Sequence, residues 1–153
     1  VPKYLTQEEA FFKCKKEGKF IVNEEIDIDR IKSTLAIALA DIQAAEILRK
    51  NMLTESHLWG SGYKLCYDAL HELAESFLKF DKIKIDNHQC LFAYLCQEYP
   101  ELELNWDFFE LVRTKRNGIN YYGSPISYQD WKAVELQFAL YLKTLETEIR
   151  KKI

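Results

Sequence analysis

Apolar residues return every three or four positions through most of the chain, the period of a helix with one buried face; only a brief run near residues 19–28 is β-prone. Ile31, Leu35, Ala38, Ile42 and Ala45 carry the pattern through residues 29–51 with no glycine or proline to interrupt it, which predicts a first long helix. Leu65, Ala69, Leu73 and Phe77, flanked by Cys66, Leu70 and Ala74, predict a second over residues 61–80. Its opposite side carries Lys64, Asp68, His71, Glu75 and Lys79 at the same spacing. A shorter helix follows the loop at residues 81–86, opened by a capping pattern of Asp86 with Gln89, cored by Leu91, Phe92 and Leu95, and stopped by Pro100. Asn105 caps a helix running to about residue 122, with Trp106, Phe109 and Val112 on its apolar face. After the break at Gly123, Ser124 and Pro125, Ser127 caps one continuous last helix buried through Trp131, Val134, Phe138, Tyr141, Leu145 and Ile149. Thr6 with Glu9 predicts a short N-terminal helix ending at Gly18, and the β-prone run beyond it reads equally as hairpin, arm or loop.

Long one-sided helices joined by short connections cannot bury their stripes alone, so the expected fold is all-α: an antiparallel bundle of four to five main helices plus a short N-terminal helix. Residues 1–28 form an N-terminal segment and residues 29–153 the bundle, with the helix from residue 105 packed between the others. At 153 residues and 48% hydrophobic, the chain has the material for one core. No apolar run approaches a membrane span, and the opening VPKYLTQEEAFFKCKK lacks the apolar stretch of a signal peptide, so a soluble cytoplasmic protein without a membrane partner is expected. The chain opens on valine, which leaves open that it is a fragment of a longer polypeptide.

A net charge of -3 excludes nucleic-acid binding by bulk electrostatics, so any RNA contact must be local. Cys14, Cys66, Cys90 and Cys96 are scattered without a CxxC pair and read as reduced thiols, buried where they fall in helices. His57, His71 and His88 show no ligand spacing, so no metal and no cofactor are expected, and His88 in a first helical turn reads as an exposed side chain without a partner.

Candidate chemistry concentrates in FFELVRTKRNGINYYG, residues 108–123. Arg113, Arg116, Asn117 and Asn120 fall on one side of the helix, placing planar guanidinium donors suited to phosphate beside amides that can read a base edge. Two arginines in the last turns of a helix also complement its dipole, and a solvated charged face is the plainer reading. Gly118 within this helix points to a kink, a frayed end or a close backbone approach. His71, one turn from both Asp68 and Glu75, is placed either as an oriented general base or as part of a surface salt-bridged stripe. Tyr63 and Tyr67 share a face, lining the same cleft or packing into core and rim.

The stretch RNGINYYG resembles the signature of HEPN domains, in which an arginine, commonly followed by asparagine, precedes a histidine by four to six residues on a bundle helix. Arg116 and Asn117 match its opening, while Tyr121 and Tyr122 stand where the histidine is expected; Asn120-Tyr121 is similar to variants of the motif that carry an amide beside tyrosine. IALADIQAAEILRK and GYKLCYDALHELAESFL are similar to the first two helices of that fold, and the resemblance spans residues 29–153. It implies a homodimer with two Arg116 ridges facing one cleft, which the abundant aromatics would suit as an apolar interface. It also implies an RNA-directed activity needing no metal, with Arg116, Asn117, Tyr121 and His71 as catalytic candidates. Arg113, Asn120, Tyr122, Tyr63, Tyr67 and Asp68 are the matching binding candidates. Tyrosine, with an ordinary pKa of about 10, is a poor base, so any ribonuclease activity should be weak. The alternative is a non-catalytic interaction module, for example the partner of a minimal nucleotidyltransferase in a toxin–antitoxin-like pair, which modifies a tyrosine near the motif.

Overall fold

The computed structural model describes residues 5–153, and the first four residues of the N-terminal segment lie outside the described residues. Seven helices and one two-stranded ribbon are present among them: α1 (Gln7–Lys16), β1 (Ile21–Val22), α2 (Ile28–Lys50), α3 (Trp59–Lys79), β2 (Ile83–Lys84), α4 (His88–Glu98), α5 (Trp106–Tyr122), α6 (Tyr128–Lys132) and α7 (Glu135–Arg150). The fold is an all-α bundle. α3 is its centre, packing along α2 on one side and against α4, α5 and α7 on the others, because its buried face is wide: Tyr63, Tyr67, Leu70, Leu73, Ala74 and Phe77 all lie inside. Phe92 of α4 stacks on Phe109 of α5 with ring centres 4.4 Å apart, and Phe108 meets Phe138 and Tyr141 of α7 edge-on, so α5 sits between the other helices as its stripe requires.

Helix starts follow the local chemistry. Thr6, Asp27, Asn87, Asn105 and Ser127 each accept a hydrogen bond from a backbone N–H three residues on. The cap of α4 is therefore Asn87 and not Asp86, since the asparagine oxygen takes the Cys90 amide at 2.9 Å. The β-prone run becomes half of a minimal ribbon, Ile21 opposite Lys84 and Val22 opposite Ile83.

The expectations for the last helix and for the cysteines are corrected. The last helix is not continuous: the chain turns at Ala133 and Val134, where Val134 N–H bonds the Trp131 carbonyl, and α7 begins anew at Glu135. The six-residue apolar stripe survives the break because both pieces keep it facing inward, so periodicity alone could not register it. α5 runs unbroken through Gly118. Its carbonyl accepts the N–H groups of both Gly123 and Ser124, closing the end of α5 as Gly123 turns left-handed at φ 62°. The cysteines are not all reduced. α1 packs against α4 and brings Cys14 to Cys90 with Cα atoms 5.7 Å apart, where they form a disulfide; Cys66 and Cys96 remain free and buried. Burial pushes these two thiols up, to about 11 and about 12, which keeps them protonated.

Each tryptophan fastens a junction through its indole N–H. Trp59 donates to the Leu53 and Thr54 carbonyls in the α2–α3 connection, Trp106 to the Leu5 carbonyl ahead of α1, and Trp131 to the Glu135 carboxylate across the α6–α7 break. Among the described residues no helix is long and apolar enough to cross a membrane.

Candidate functional site

The arginine ridge of α5 folds inward onto carboxylates. Arg113 makes a two-pronged pair with buried Glu110 one turn earlier, Nε to Oε1 at 2.9 Å and a terminal nitrogen to Oε2 at 2.9 Å, and Gln89 of α4 donates to the same Oε2 at 3.1 Å. Arg116 reaches α3, donating to Asp68 Oδ1 at 3.2 Å while its guanidinium carbon lies 5.6 Å from the centre of the Tyr67 ring. The Arg116 Nε is buried with no protein partner.

Next to this pair lie two imidazoles. His71 of α3 and His88 of α4 stack with ring centres 3.8 Å apart, and the Tyr67 hydroxyl meets His88 Nδ1 at 2.9 Å. His88 is thus neither exposed nor partnerless: docking α4 onto α3 presses its first turn against Tyr67 and His71, a tertiary contact with no trace in local periodicity. Burial, with the Arg116 charge adding, pulls the His71 pKa down to about 4. His88 falls to about 4 chiefly by burial, helped by His71 and Arg116. Both rings are neutral near pH 7, and His71 Nε2 is buried without a partner. His71 is not in a salt-bridged surface stripe. Burial raises the Tyr67 phenol, which stays a hydroxyl.

On the side of α3 toward α2, Glu72 is pushed up to about 7 by burial and by the charges of Asp41, Asp68 and Glu75. Asp41 of α2 is likewise raised, first by burial and then by Asp68. Among the described residues no group of three or more His, Cys, Asp or Glu side chains is arranged to hold a metal ion.

Of the sequence candidates, Arg113, Arg116, Tyr67, Asp68 and His71 come together. Tyr63 does not join them: it is buried edge-on against Phe138 and Trp131 in the core. Asn117 is half-buried beside Arg116, while Asn120 is exposed. Tyr121 and Tyr122 stand in the last turn of α5 at 74% and 83% exposure, away from the imidazoles. Glu110, Gln89, Glu72 and His88 were not singled out from sequence. Glu110 was findable, because it stands three residues before Arg113 on one helix face; the other three depend on how helices dock. In comparison with known proteins, no family model, no curated protein and no solved structure matches this chain.

Proposed function

We propose that this chain is a HEPN-like protein acting on RNA at Arg116, with imidazole supplied by His71 and His88 from neighbouring helices in place of the histidine missing from its motif. What supports this is the stacked histidine pair next to the one arginine that matches the motif. In the reaction the ribose 2′-oxygen attacks phosphorus and the bond from phosphorus to the 5′-oxygen breaks, leaving a cyclic phosphate and a 5′-hydroxyl. A neutral imidazole takes the 2′-hydroxyl proton, a proton is returned to the leaving oxygen, and Arg116 balances the charge growing on phosphorus. Catalysis is weak on two physical grounds. A base with pKa near 4 takes up protons poorly at neutral pH, and Arg116 must leave Asp68 before a phosphate can reach it. Such a target places the protein in the cytoplasm, where the Cys14–Cys90 disulfide has to persist against a reducing pool.

Single-stranded RNA incubated in chelator with wild type, Arg116→Ala and His71→Ala tests the reading. Wild type should give cyclic-phosphate ends; Arg116→Ala should lose about a hundredfold or more, as removal of an electrostatic stabiliser does, and His71→Ala a comparable amount. Equal rates in all three would overturn it.

The interaction-module reading has an observation of its own, the exposure of Tyr121 and Tyr122 at the end of α5 while both ridge arginines are already paired. In it, a nucleotidyltransferase partner would modify one of these tyrosines. Modification lost in Tyr121→Phe or Tyr122→Phe, with no cleavage by wild type, would favour it.

A further inference from the structure

At the start of α4 four consecutive residues each have a different task. Asn87 caps the helix, His88 stacks on His71 and meets the Tyr67 hydroxyl, Gln89 donates to Glu110 Oε2 at 3.1 Å, and Cys90 is bonded to Cys14 of α1. Gln89 is the one whose hydrogen bond reaches α5, the helix that bears Arg116. Among the described residues, two hydrogen bonds join α4 to α3 and α5, Tyr67 with His88 and Gln89 with Glu110. The stack of Phe92 on Phe109 adds apolar contact, which is non-directional, so the register of α4 falls to the hydrogen bonds.

We propose that Gln89 is a positioning residue of the Arg116 site: its hydrogen bond to Glu110 sets the rotation and the level of α4 so that His88 lies against His71. Helix geometry carries this in two ways. Neighbouring residues project about 100° apart around a helix, so with Gln89 turned to α5 the ring of His88 is turned to α3, where His71 stacks on it at 3.8 Å. Glu110 and Arg116 stand on one helix, six residues and so about 9 Å apart along its axis, and tying Gln89 to the first fixes the level of α4 against the second. The anchor itself is held. Glu110 is only 7% exposed, and two nitrogens of Arg113 grip its carboxylate at 2.9 Å each, so it does not swing. An amide donating to a carboxylate out of water makes a stronger bond than the amide–amide bond of Gln7 with Gln97, which joins α1 to the last turn of α4.

The effect on catalysis rests on the RNA reading above, whereas the placement of His88 does not. Gln89 makes no hydrogen bond to Arg116 or to either imidazole, so it acts only through where it holds His88. In the proposed cleavage, losing its bond should lower kcat about tenfold and leave KM unchanged, as loss of orientation does. The placement is read from the imidazole itself. His88 titrates at about 4, held down first by burial and then by His71 and Arg116, against Asp68 and with Arg113. Exchanging one neutral side chain for another at position 89 leaves all these groups in place, together with the Tyr67 hydroxyl and the Glu110 carboxylate, so a moved titration reports a change in burial.

Imidazole proton resonances followed against pH in wild type, Gln89→Met and Gln97→Met test this. Methionine keeps the length of glutamine and removes the donor; Gln97→Met loosens α4 at a point away from the site, and exposed His57 in the α2–α3 connection is the internal reference. In Gln89→Met the His88 midpoint should rise by about one pH unit or more as water enters, with an unchanged helical circular dichroism spectrum. In Gln97→Met it should stay at the wild-type value. In the wild type itself, the side-chain amide protons of Gln89 should exchange with deuterium more slowly than those of exposed Gln43. An unmoved His88 in folded Gln89→Met, an equal movement in Gln97→Met, or Gln89 protons that exchange as fast as those of Gln43 would each overturn the proposal. The expected His88 shift in a protein that cleaves no RNA would uphold the placement and overturn the RNA reading instead.

Discussion

His71 and Glu72 are neighbours on α3 whose titrations oppose each other. His71 and its stacking partner His88 have pKa values near 4 in the fold against an ordinary 6.5, so the unfolded chain binds protons more readily between these values. The stability they contribute is complete above about pH 6.5 and is lost as pH falls toward 4. Glu72 is shifted the other way, to about 7 from 4.5; its contribution is complete below about pH 4.5 and is lost as pH rises through 7. Melting temperature against pH should therefore peak near pH 6. His71→Phe, which keeps a ring against His88, should soften the acid limb, and Glu72→Gln should lift the alkaline one, each on the order of 1 kcal/mol after screening of these partly exposed groups. A profile unchanged by both substitutions would mean that neither group titrates as its burial requires. None of this was legible in sequence. The spacing of His71 from Asp68 and Glu75 pointed to an ion-paired surface, and what decided otherwise was the docking of α4, which dried the histidine out.

At the level of elements, α1 is held in place by more than its own short apolar face. It has Ala10, Phe11 and Cys14 to bury, together with the Gln7–Gln97 hydrogen bond at 3.0 Å, and the Cys14–Cys90 bond then makes its attachment to α4 covalent. A ten-residue helix has little stability of its own, so the crosslink carries a large share. Its two ends are 76 residues apart, and closing a loop of that length restricts the unfolded chain by about 4.5 kcal/mol in the entropic account. Oxidised protein should lose several degrees of thermal stability in dithiothreitol, and Cys14→Ser/Cys90→Ser should melt where the reduced wild type melts. Coincident melting of oxidised and reduced wild type would contradict this. The caps of α1, α5 and α6 were readable because capping is a contract between residues three apart. The pairing of cysteines 76 positions apart, the ribbon joining β1 to β2 and the identity of the α4 cap were not, since each is settled by which elements meet.

For the whole molecule, periodicity was sufficient to give an all-α bundle, because the stripes named from sequence on the second and last helices are buried, Leu65 alone being half-buried. The candidate site was half legible. Arg113 and Arg116 were visible on α5 and Asp68 on α3, but that the ridge turns inward to Glu110 and Asp68 follows from the closeness of α3, α4 and α5. The three indole N–H groups, each closing a different junction, also make the protein its own set of optical reporters. Trp106 is bonded to the chain just ahead of α1, Trp59 to the turn before α3, and Trp131 to the start of α7, so each fluorophore is quenched or shifted by the loosening of one joint only. With Trp59 and Trp131 replaced by phenylalanine, emission from Trp106 should move to the red when the disulfide is reduced and α1 frays. The variant that keeps Trp131 alone should stay silent until the bundle itself melts.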